Sequence, residues 1–190
     1  ELDEDTRVAR SPETGKGYEV PADMTYPEWH KQYIEGNPEA VLAEKKIRNY
    51  GADKKQYEAY VEKIGKEYVP KSLDKFQAMK YTDPTGYGVL KAQSRGMTYY
   101  NKAVTAEPEI TEQVKKVAES VGMDTLGIGN RIKSKESYLE KIERNYNPSR
   151  NEYEVKDIIR YTLGGTADDL ADKTMLAIDT FEQEGYNTVR

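Results

Sequence analysis

Apolar side chains recur at intervals of three or four residues along most of the chain, and this spacing predicts amphipathic helices. In the first half the pattern begins at Tyr26, where Pro27 suits the first turn of a helix, and it resumes after a break at Gly51. Ser72 directly precedes another apolar run and is a candidate N-cap. We therefore predict a small helical module built around aromatic side chains, namely Trp29, Tyr33, Tyr57 and Phe76.

Two segments lack this helical spacing. Residues 1–25 are polar and rich in proline, glycine and acidic side chains, which is typical of a tail or loop. Residues 82–97 contain a proline and repeated glycines, which predict a linker with a domain boundary near Gly96. The expected organisation is a tail, a helical module with its linker over residues 26–95, and a second domain over residues 99–190.

The second half alternates helix and strand patterns. An apolar stripe from Ile110 to Val121 predicts a helix that Gly122 ends, and residues 155–163 predict a β-strand. The pattern then predicts, in order, a stop at Gly164-Gly165, a helix capped by Asp168 or Asp169, its end at Gly185, and a second strand from Tyr186. This order of elements indicates an α+β fold.

The most strongly charged helical pattern lies within residues 127–146. With Ser134 as the N-cap and about 100° per residue, Ser137, Lys141 and Arg144 fall on one side of the helix. The other side is apolar and consists of Tyr138, Leu139, Ile142 and Tyr146. The helix therefore has one side for packing and one side that offers a hydroxyl and two cations.

A phosphate-binding site is one interpretation of this arrangement. Arg131 and Lys133 directly precede the helix, whose unpaired N-terminal N–H groups already favour anions. A triphosphate would meet cations and hydrogen-bond donors together. The alternative is an ordinary solvated helix, because lysine and arginine on an outer helix face usually only keep it in contact with water.

Composition excludes several kinds of site. The chain has 190 residues and no cysteine, so disulfides and thiolate metal sites are excluded. His30 is the only histidine, which excludes a His–His zinc pair and a conventional serine triad; we expect His30 to be structural. The net charge of −5 argues against broad binding to duplex DNA. A nuclease has little support, because the carboxylates are scattered.

No segment is typical of a membrane or secreted protein. The acidic start lacks the apolar core of a signal peptide. No run approaches the roughly 18 apolar residues that a membrane span needs. We therefore expect a soluble chain without a signal peptide or transmembrane segment.

The charged residues of the second half resemble a known enzyme family. The pattern R-x-K-x-x-x-S-x-x-x-K with a downstream acidic residue is formed by Arg131, Lys133, Ser137, Lys141, Asp157 and Arg160. It resembles the nucleotide-binding core of RelA/SpoT-type alarmone synthetases, and specifically the branch attached to phage and secreted toxin-like proteins. The resemblance covers residues 99–190 and implies an α/β nucleotidyltransferase-like synthetase domain, of which this chain holds the N-terminal half.

The resemblance also implies a reaction and a set of roles. In that family, pyrophosphate moves from ATP to the ribose 3′-hydroxyl of a nucleotide, usually GDP or GTP. The implied roles are Arg131 and Lys133 for holding ATP, Ser137 and Lys141 for its phosphates, Asp157 for Mg²⁺, and Arg160 as a further nucleotide contact. The family's acceptor-binding tyrosine and activating glutamate lie on later strands. The resemblance therefore implies binding of ATP with Mg²⁺ here, and transfer when further chain completes the domain.

The first half resembles a phage structural protein. The segment VPADMTYPEWHKQY at residues 20–33, together with Tyr57 and residues 71–81, is similar to the C-terminal part of phage minor head proteins of the Mu-F/SPP1-type head-morphogenesis family. This match covers residues 1–95. It implies a place in the phage virion or host cytoplasm. The two resemblances together imply nucleotides, phage capsid or portal proteins and an immunity protein as partners, while net charge and hydropathy predict no membrane and no duplex DNA as partners.

Two functions from different classes follow from these resemblances. In the first, the protein is a phage-borne effector whose C-terminal domain is an alarmone-synthetase-like pyrophosphotransferase, delivered by a structural N-terminal module. In the second, it is a non-enzymatic virion structural or interaction protein, whose degenerate synthetase-like domain only packs or binds partners.

Overall fold

Helices and two small antiparallel sheets make up the fold, which is α+β as predicted. The structure is a computed structural model that describes residues 5–153, 155 and 157–187. The chain divides into two units, Glu1–Leu90 and Lys91–Arg190. The strands are β1 (Thr6–Arg10), β2 (Gly17–Pro21), β3 (Asp124–Leu126) and β4 (Thr162–Gly164). The helices are α1 (Tyr26–Trp29), continued by a π-helical turn (His30–Ile34), α2 (Pro38–Arg48), α3 (Tyr50–Ile64), α4 (Leu73–Thr82), α5 (Pro84–Ser120), α6 (Lys135–Asn145) and α7 (Leu170–Gln183).

A β-hairpin occupies much of the segment that was predicted to be a tail or loop, so that prediction is wrong for the strand residues 6–10 and 17–21. Strands β1 and β2 pair antiparallel, with Val8 opposite Glu19. The connecting turn includes Gly15, whose φ of 68° is readily adopted only by glycine. Val20 on β2 is fully buried, which gives the hairpin an apolar attachment to the first unit.

Glu44 on α2 ties the hairpin and α1 together. Its carboxylate accepts hydrogen bonds from the hydroxyls of Tyr18, at 3.0 Å, and Tyr26, at 3.2 Å. His30 Nε2 lies 2.8 Å from the same carboxylate, and this bond raises the pKa of His30 above its ordinary value. The His30 side chain is 25% exposed and is bound to Glu44, which agrees with the expected structural role.

Helices α2 to α4 follow the predicted spacing, and the Ser72 hydroxyl caps α4 by accepting from the Lys75 N–H. Phe76 is fully buried, with its ring centroid 5.7 Å from that of Tyr57. Two details of the prediction are wrong. Tyr33 is 48% exposed and does not belong to the core. Gly51 lies inside the first turn of α3 and does not break a helix, because the break falls two residues earlier, at Asn49 between α2 and α3.

Helix α5 takes the place of the predicted linker. Residues 84–97 are helical, and the boundary between the two units falls within α5, after Leu90 and not near Gly96. Pro84 is the first residue of this helix, where proline is tolerated. Among the described residues no helix, α5 included, has the length and apolar composition that a membrane span requires.

The second unit has its core where α5, α7 and the second sheet meet. Val117, Ala118 and Val121 on α5 form a buried cluster with Met123 and Ala177. This cluster confirms the predicted apolar stripe. Helix α7 also begins and ends as predicted, after Asp169 and before Gly185.

The strand predicted over residues 155–163 is much shorter in the structure. Only Thr162–Gly164 form β4, which pairs antiparallel with β3, and Asp157 belongs to no strand. Residues 186 and 187 belong to no strand either, and the rest of the predicted last strand lies outside the described residues. The second sheet is therefore small.

Candidate functional site

Backbone pairing brings part of the predicted site together. Residues 131–133 lie antiparallel to residues 158–160, with a backbone hydrogen bond of 2.9 Å at each end of the paired segment. Asp157 directly precedes this segment, so its carboxylate lies beside the Lys133 side chain. Tyr100 on α5 fixes the same strand-like segment, because its hydroxyl donates to the Lys133 carbonyl at 2.9 Å.

Helix α6 directs a second lysine to the same place. Its N-cap is Ser134, as predicted, whose hydroxyl accepts from the Ser137 N–H at 3.2 Å. The apolar side of α6 is buried, and Tyr138, Leu139 and Ile142 are each at most 1% exposed. This packing leaves Lys141 on the polar side, towards Asp157.

Lys133 and Lys141 hold the carboxylate of Asp157 between them. The Lys133 Nζ lies 3.0 Å from Asp157 Oδ2, and the Lys141 Nζ lies 2.5 Å from Oδ1. The hydrogen bonds from Lys141 and then Lys133 hold the pKa of Asp157 far below its usual range. We call these three residues the lysine clamp. Its charges sum to one positive charge at neutral pH.

Arg131 belongs to a neighbouring hydrogen-bond network in which its guanidinium already has protein acceptors. Its guanidinium forms a two-point ion pair with Glu107 on α5 and donates to the Ile128 carbonyl at 2.7 Å. The Glu107 carboxylate also accepts from the Thr111 hydroxyl, which lies 2.8 Å from the hydroxyl of Tyr161. Arg131, and then Thr111, lower the pKa of Glu107. Arg131 is thus fixed in place, with much of its donor capacity in use.

The predicted site residues therefore fall into three groups. Lys133, Lys141 and Asp157 are in direct contact. Arg131 lies two positions before Lys133 on the paired segment and is bound to Glu107. Ser137 and Arg160 are exposed, and within the described part of the chain the side-chain partners of Asp157 are Lys133 and Lys141 instead. Because Asp157 precedes the paired segment and lies on no strand, strand alternation does not constrain where Asp157 and Arg160 point.

Sequence reasoning missed the residues that hold the site from α5. Tyr100, Glu107 and Thr111 contact the segment before α6 or its partner across 24 to 50 positions of sequence. One signal was present, since Glu107 and Thr111 stand four residues apart and therefore share a helix face. Because residues 99–110 were not predicted to be helical, that spacing carried no weight.

The lysine clamp does not fit Mg²⁺ as it stands. Both oxygens of Asp157 accept from ammonium groups, and the described residues contain no group of three or more acidic or histidine side chains placed to hold a metal ion. Protein-bound Mg²⁺ usually has one or two carboxylates free to coordinate it. Two adjacent ammonium groups favour an anion instead. The role of Asp157 as a Mg²⁺ ligand stays a prediction.

Comparisons with known protein families, with curated proteins and with solved structures find no match to this chain.

Proposed function

We propose that residues 91–190 form a nucleotide-binding unit that holds the phosphates of ATP at Lys133 and Lys141. The observation that supports this most directly is the convergence of two lysines from separate elements on one anionic group. Lysine ammonium groups are common ligands of phosphate. Only 12% of the Lys133 side chain and 25% of the Lys141 side chain are exposed, which strengthens their attraction for an anion over that of solvated lysines.

Other groups at this place suit the same ligand. The N-terminus of α6 offers backbone N–H groups that have no partner within the helix. The exposed Ser137 hydroxyl and the exposed Arg160 guanidinium are additional donors that a bound triphosphate can recruit. The charge of Arg131 is balanced by Glu107, but its guanidinium has N–H donors beyond those bound to Glu107 and Ile128.

The reaction proposed for a complete domain is transfer of pyrophosphate from ATP to the 3′-hydroxyl of GDP, GTP or a tRNA end. This step rests on the resemblance of Arg131, Lys133, Ser137, Lys141 and Asp157 to RelA/SpoT-type synthetases. In such transfers positioning and charge stabilisation supply most of the rate enhancement, and clamped lysines serve that purpose. The first unit, by its resemblance to phage minor head proteins, would place the nucleotide-binding unit at a capsid or portal.

Calorimetric titration with ATP tests the proposal. We expect Lys133→Ala to weaken ATP binding about tenfold or more, because a charged hydrogen bond contributes about 1.5–3 kcal/mol. The matched control is Lys116→Ala, which removes an exposed lysine from α5 in the same unit and should change affinity less than about twofold. Labelled ATP incubated with GDP, GTP or tRNA and separated by thin-layer chromatography tests the transfer step. Absence of ATP binding by the unchanged protein would refute the proposal.

A structural function is the second candidate, and one observation favours it. In the two networks every carboxylate already has a cationic partner, since Asp157 is paired with two lysines and Glu107 with Arg131. Such networks can hold residues 157–161 on α5 and α6 without any ligand. This candidate predicts that Lys133→Ala lowers the free energy of unfolding while ATP, with or without Mg²⁺, has no effect on it.

A further inference from the structure

Asp157 occupies the position in the lysine clamp where a bound phosphate would lie. Its two carboxylate oxygens each accept from a different ammonium group. A terminal phosphate presents the same feature, two negatively charged oxygens on one centre. The two lysines therefore cannot bind a polyphosphate fully while Asp157 holds both of them.

The exposed fractions of the three side chains in the lysine clamp indicate which of them can turn out into solvent. The Asp157 side chain is 36% exposed, compared with 12% for Lys133 and 25% for Lys141. Asp157 thus lies on the solvent side of the clamp, and its carboxylate can be hydrated without exposing the lysines. It also belongs to no helix or strand, so turning its side chain outward breaks no regular backbone hydrogen bonding.

Electrostatics make the carboxylate a strong competitor for this position. Lys141 approaches from α6 and Lys133 from the segment before it, and without Asp157 their like charges would repel each other across a partly desolvated space. Asp157 cancels that repulsion in the absence of ligand. The same cancellation opposes binding of any other anion, because the incoming anion must first replace the carboxylate.

We propose that Asp157 is a displaceable internal counter-ion of the lysine clamp, which lowers its affinity for polyphosphate, rather than a resident Mg²⁺ ligand. This inference rests on the proposed function, since it concerns the same phosphate position. The counter-ion role and the metal-ligand role predict different changes in affinity for metal-free polyphosphate when Asp157 is replaced. Removing a counter-ion strengthens binding of metal-free polyphosphate, whereas removing a metal ligand leaves that binding unchanged and weakens only the binding that needs Mg²⁺.

The experiment is a calorimetric titration of the full chain with inorganic tripolyphosphate in buffer containing EDTA and no Mg²⁺. We expect Asp157→Asn to bind at least about tenfold more tightly than the unchanged protein, since a charged hydrogen-bond partner is lost from the competing state. Combining it with Lys133→Ala should abolish the gain. Asp179→Asn, an exposed carboxylate on α7, makes the same change in net charge and should leave affinity within about twofold.

Each outcome separates the inference from the proposed function. Equal or weaker tripolyphosphate binding by Asp157→Asn, with binding by the unchanged protein intact, overturns the inference and leaves the proposed function standing. No binding by either protein overturns both. Asp157→Ser provides a second variant, checked like the first by circular dichroism. If neither variant folds, Asp157 is a structural requirement and not a displaceable ion, and the inference is again overturned.

Discussion

Two aspartates of the first unit form lysine ion pairs of equal length but very different burial. Asp53 on α3 pairs with Lys80 at 2.7 Å and is fully buried. Asp74 on α4 pairs with Lys46, also at 2.7 Å, with 76% of its side chain exposed. Burial alone would raise the pKa of Asp53, but the hydrogen bonds led by Lys80 outweigh it and hold the pKa below its ordinary value. We therefore expect the two ion pairs to contribute differently to the free energy of unfolding, because they differ in burial and not in distance.

We predict that Asp53→Ala lowers the free energy of unfolding of the first unit by about 3 kcal/mol, because it leaves one buried and two half-buried donors without their acceptor. These partners are Gln77, Lys80 and Tyr81. Asp74→Ala should cost less than about 1 kcal/mol, as exposed pairs do. Hydrogen–deuterium exchange of the α3 and α4 amides in increasing urea measures both. Equal losses for the two variants would contradict the role given to burial.

Residues of known local preference were predicted well, and residues that act at a distance were not. Ser72 and Ser134 were identified as N-caps, because a cap acts on N–H groups within three positions. The pairing of Asp157 with both lysines could not be derived from spacing, since it depends on how residues 131–133 meet residues 158–160. The sequence thus indicated which side chains were chemically suited to the site, but it did not indicate which of them are in contact with one another.

At the scale of elements, the close approach of α5 to α6 depends on one glycine. A Cβ placed on Gly96 would lie 2.4 Å from Cδ1 of Ile142 and 3.2 Å from the hydroxyl of Tyr138. Both neighbours are fully buried, so they have little room to move. The Tyr138 hydroxyl also donates to the Gly96 carbonyl, which keeps the two helices in register. Gly96 is therefore a packing residue of the helix and not a break in it.

We predict opposite signs for alanine at two helical glycines. Gly96→Ala should lower stability by about 1–2 kcal/mol, because overpacking exceeds the gain in helix propensity. Gly51→Ala on α3 meets nothing within 4 Å and should raise stability by up to about 1 kcal/mol. Protection of the α5 and α3 amides, respectively, is the measurement. Stabilisation by both substitutions would show that the Ile142 side chain can move away from the added methyl group without loss of stability.

The failed predictions of elements have related causes. Glycines 86, 88 and 96 suggested a linker because glycine lowers helix propensity, but all three lie inside α5, and at Gly96 packing against the buried Tyr138 and Ile142 overrides that preference. The hairpin was missed because its strands are only five residues long and mostly exposed. The alternation of Tyr18 and Val20 with polar residues, after a turn that contains Pro12 and Gly15, was the signal that could have found it.

At the scale of the whole molecule, the two units share one continuous helix. The boundary lies between Leu90 and Lys91, in the interior of α5, where the backbone N–H and C=O groups are hydrogen-bonded. A linker at this place would be extended and open to proteases. A helix must first unfold locally before a protease can bind it.

Limited digestion with trypsin distinguishes these cases. We predict early cleavage after Lys16 and Arg150, which lie in exposed turns, and late cleavage after Lys91 and Arg95 in α5. Fragments identified by mass spectrometry at short times give the order. Early fragments that end at Lys91 or Arg95, with the turns still intact, would contradict a continuous helix and favour a linker.

The overall α+β class and the division into two parts followed from the sequence, because both depend on the periods of apolar residues over long stretches. The position of the division did not follow. The position of the boundary depends on which helices α5 packs against, and these contacts cannot be derived from the sequence alone.

The aromatic cluster of the first unit gives the protein two optically distinct parts. Trp29 is the chain's single tryptophan, and its ring centroid lies 5.0 Å from that of Tyr18 and 5.9 Å from that of Tyr26. Excitation energy absorbed by these two tyrosines is therefore transferred to the indole of Trp29. Emission from Trp29 thus reports on the hairpin and α1. The second unit has no tryptophan and contributes only to the tyrosine emission, which the first unit shares, so selective excitation of the indole follows the first unit without introducing any label.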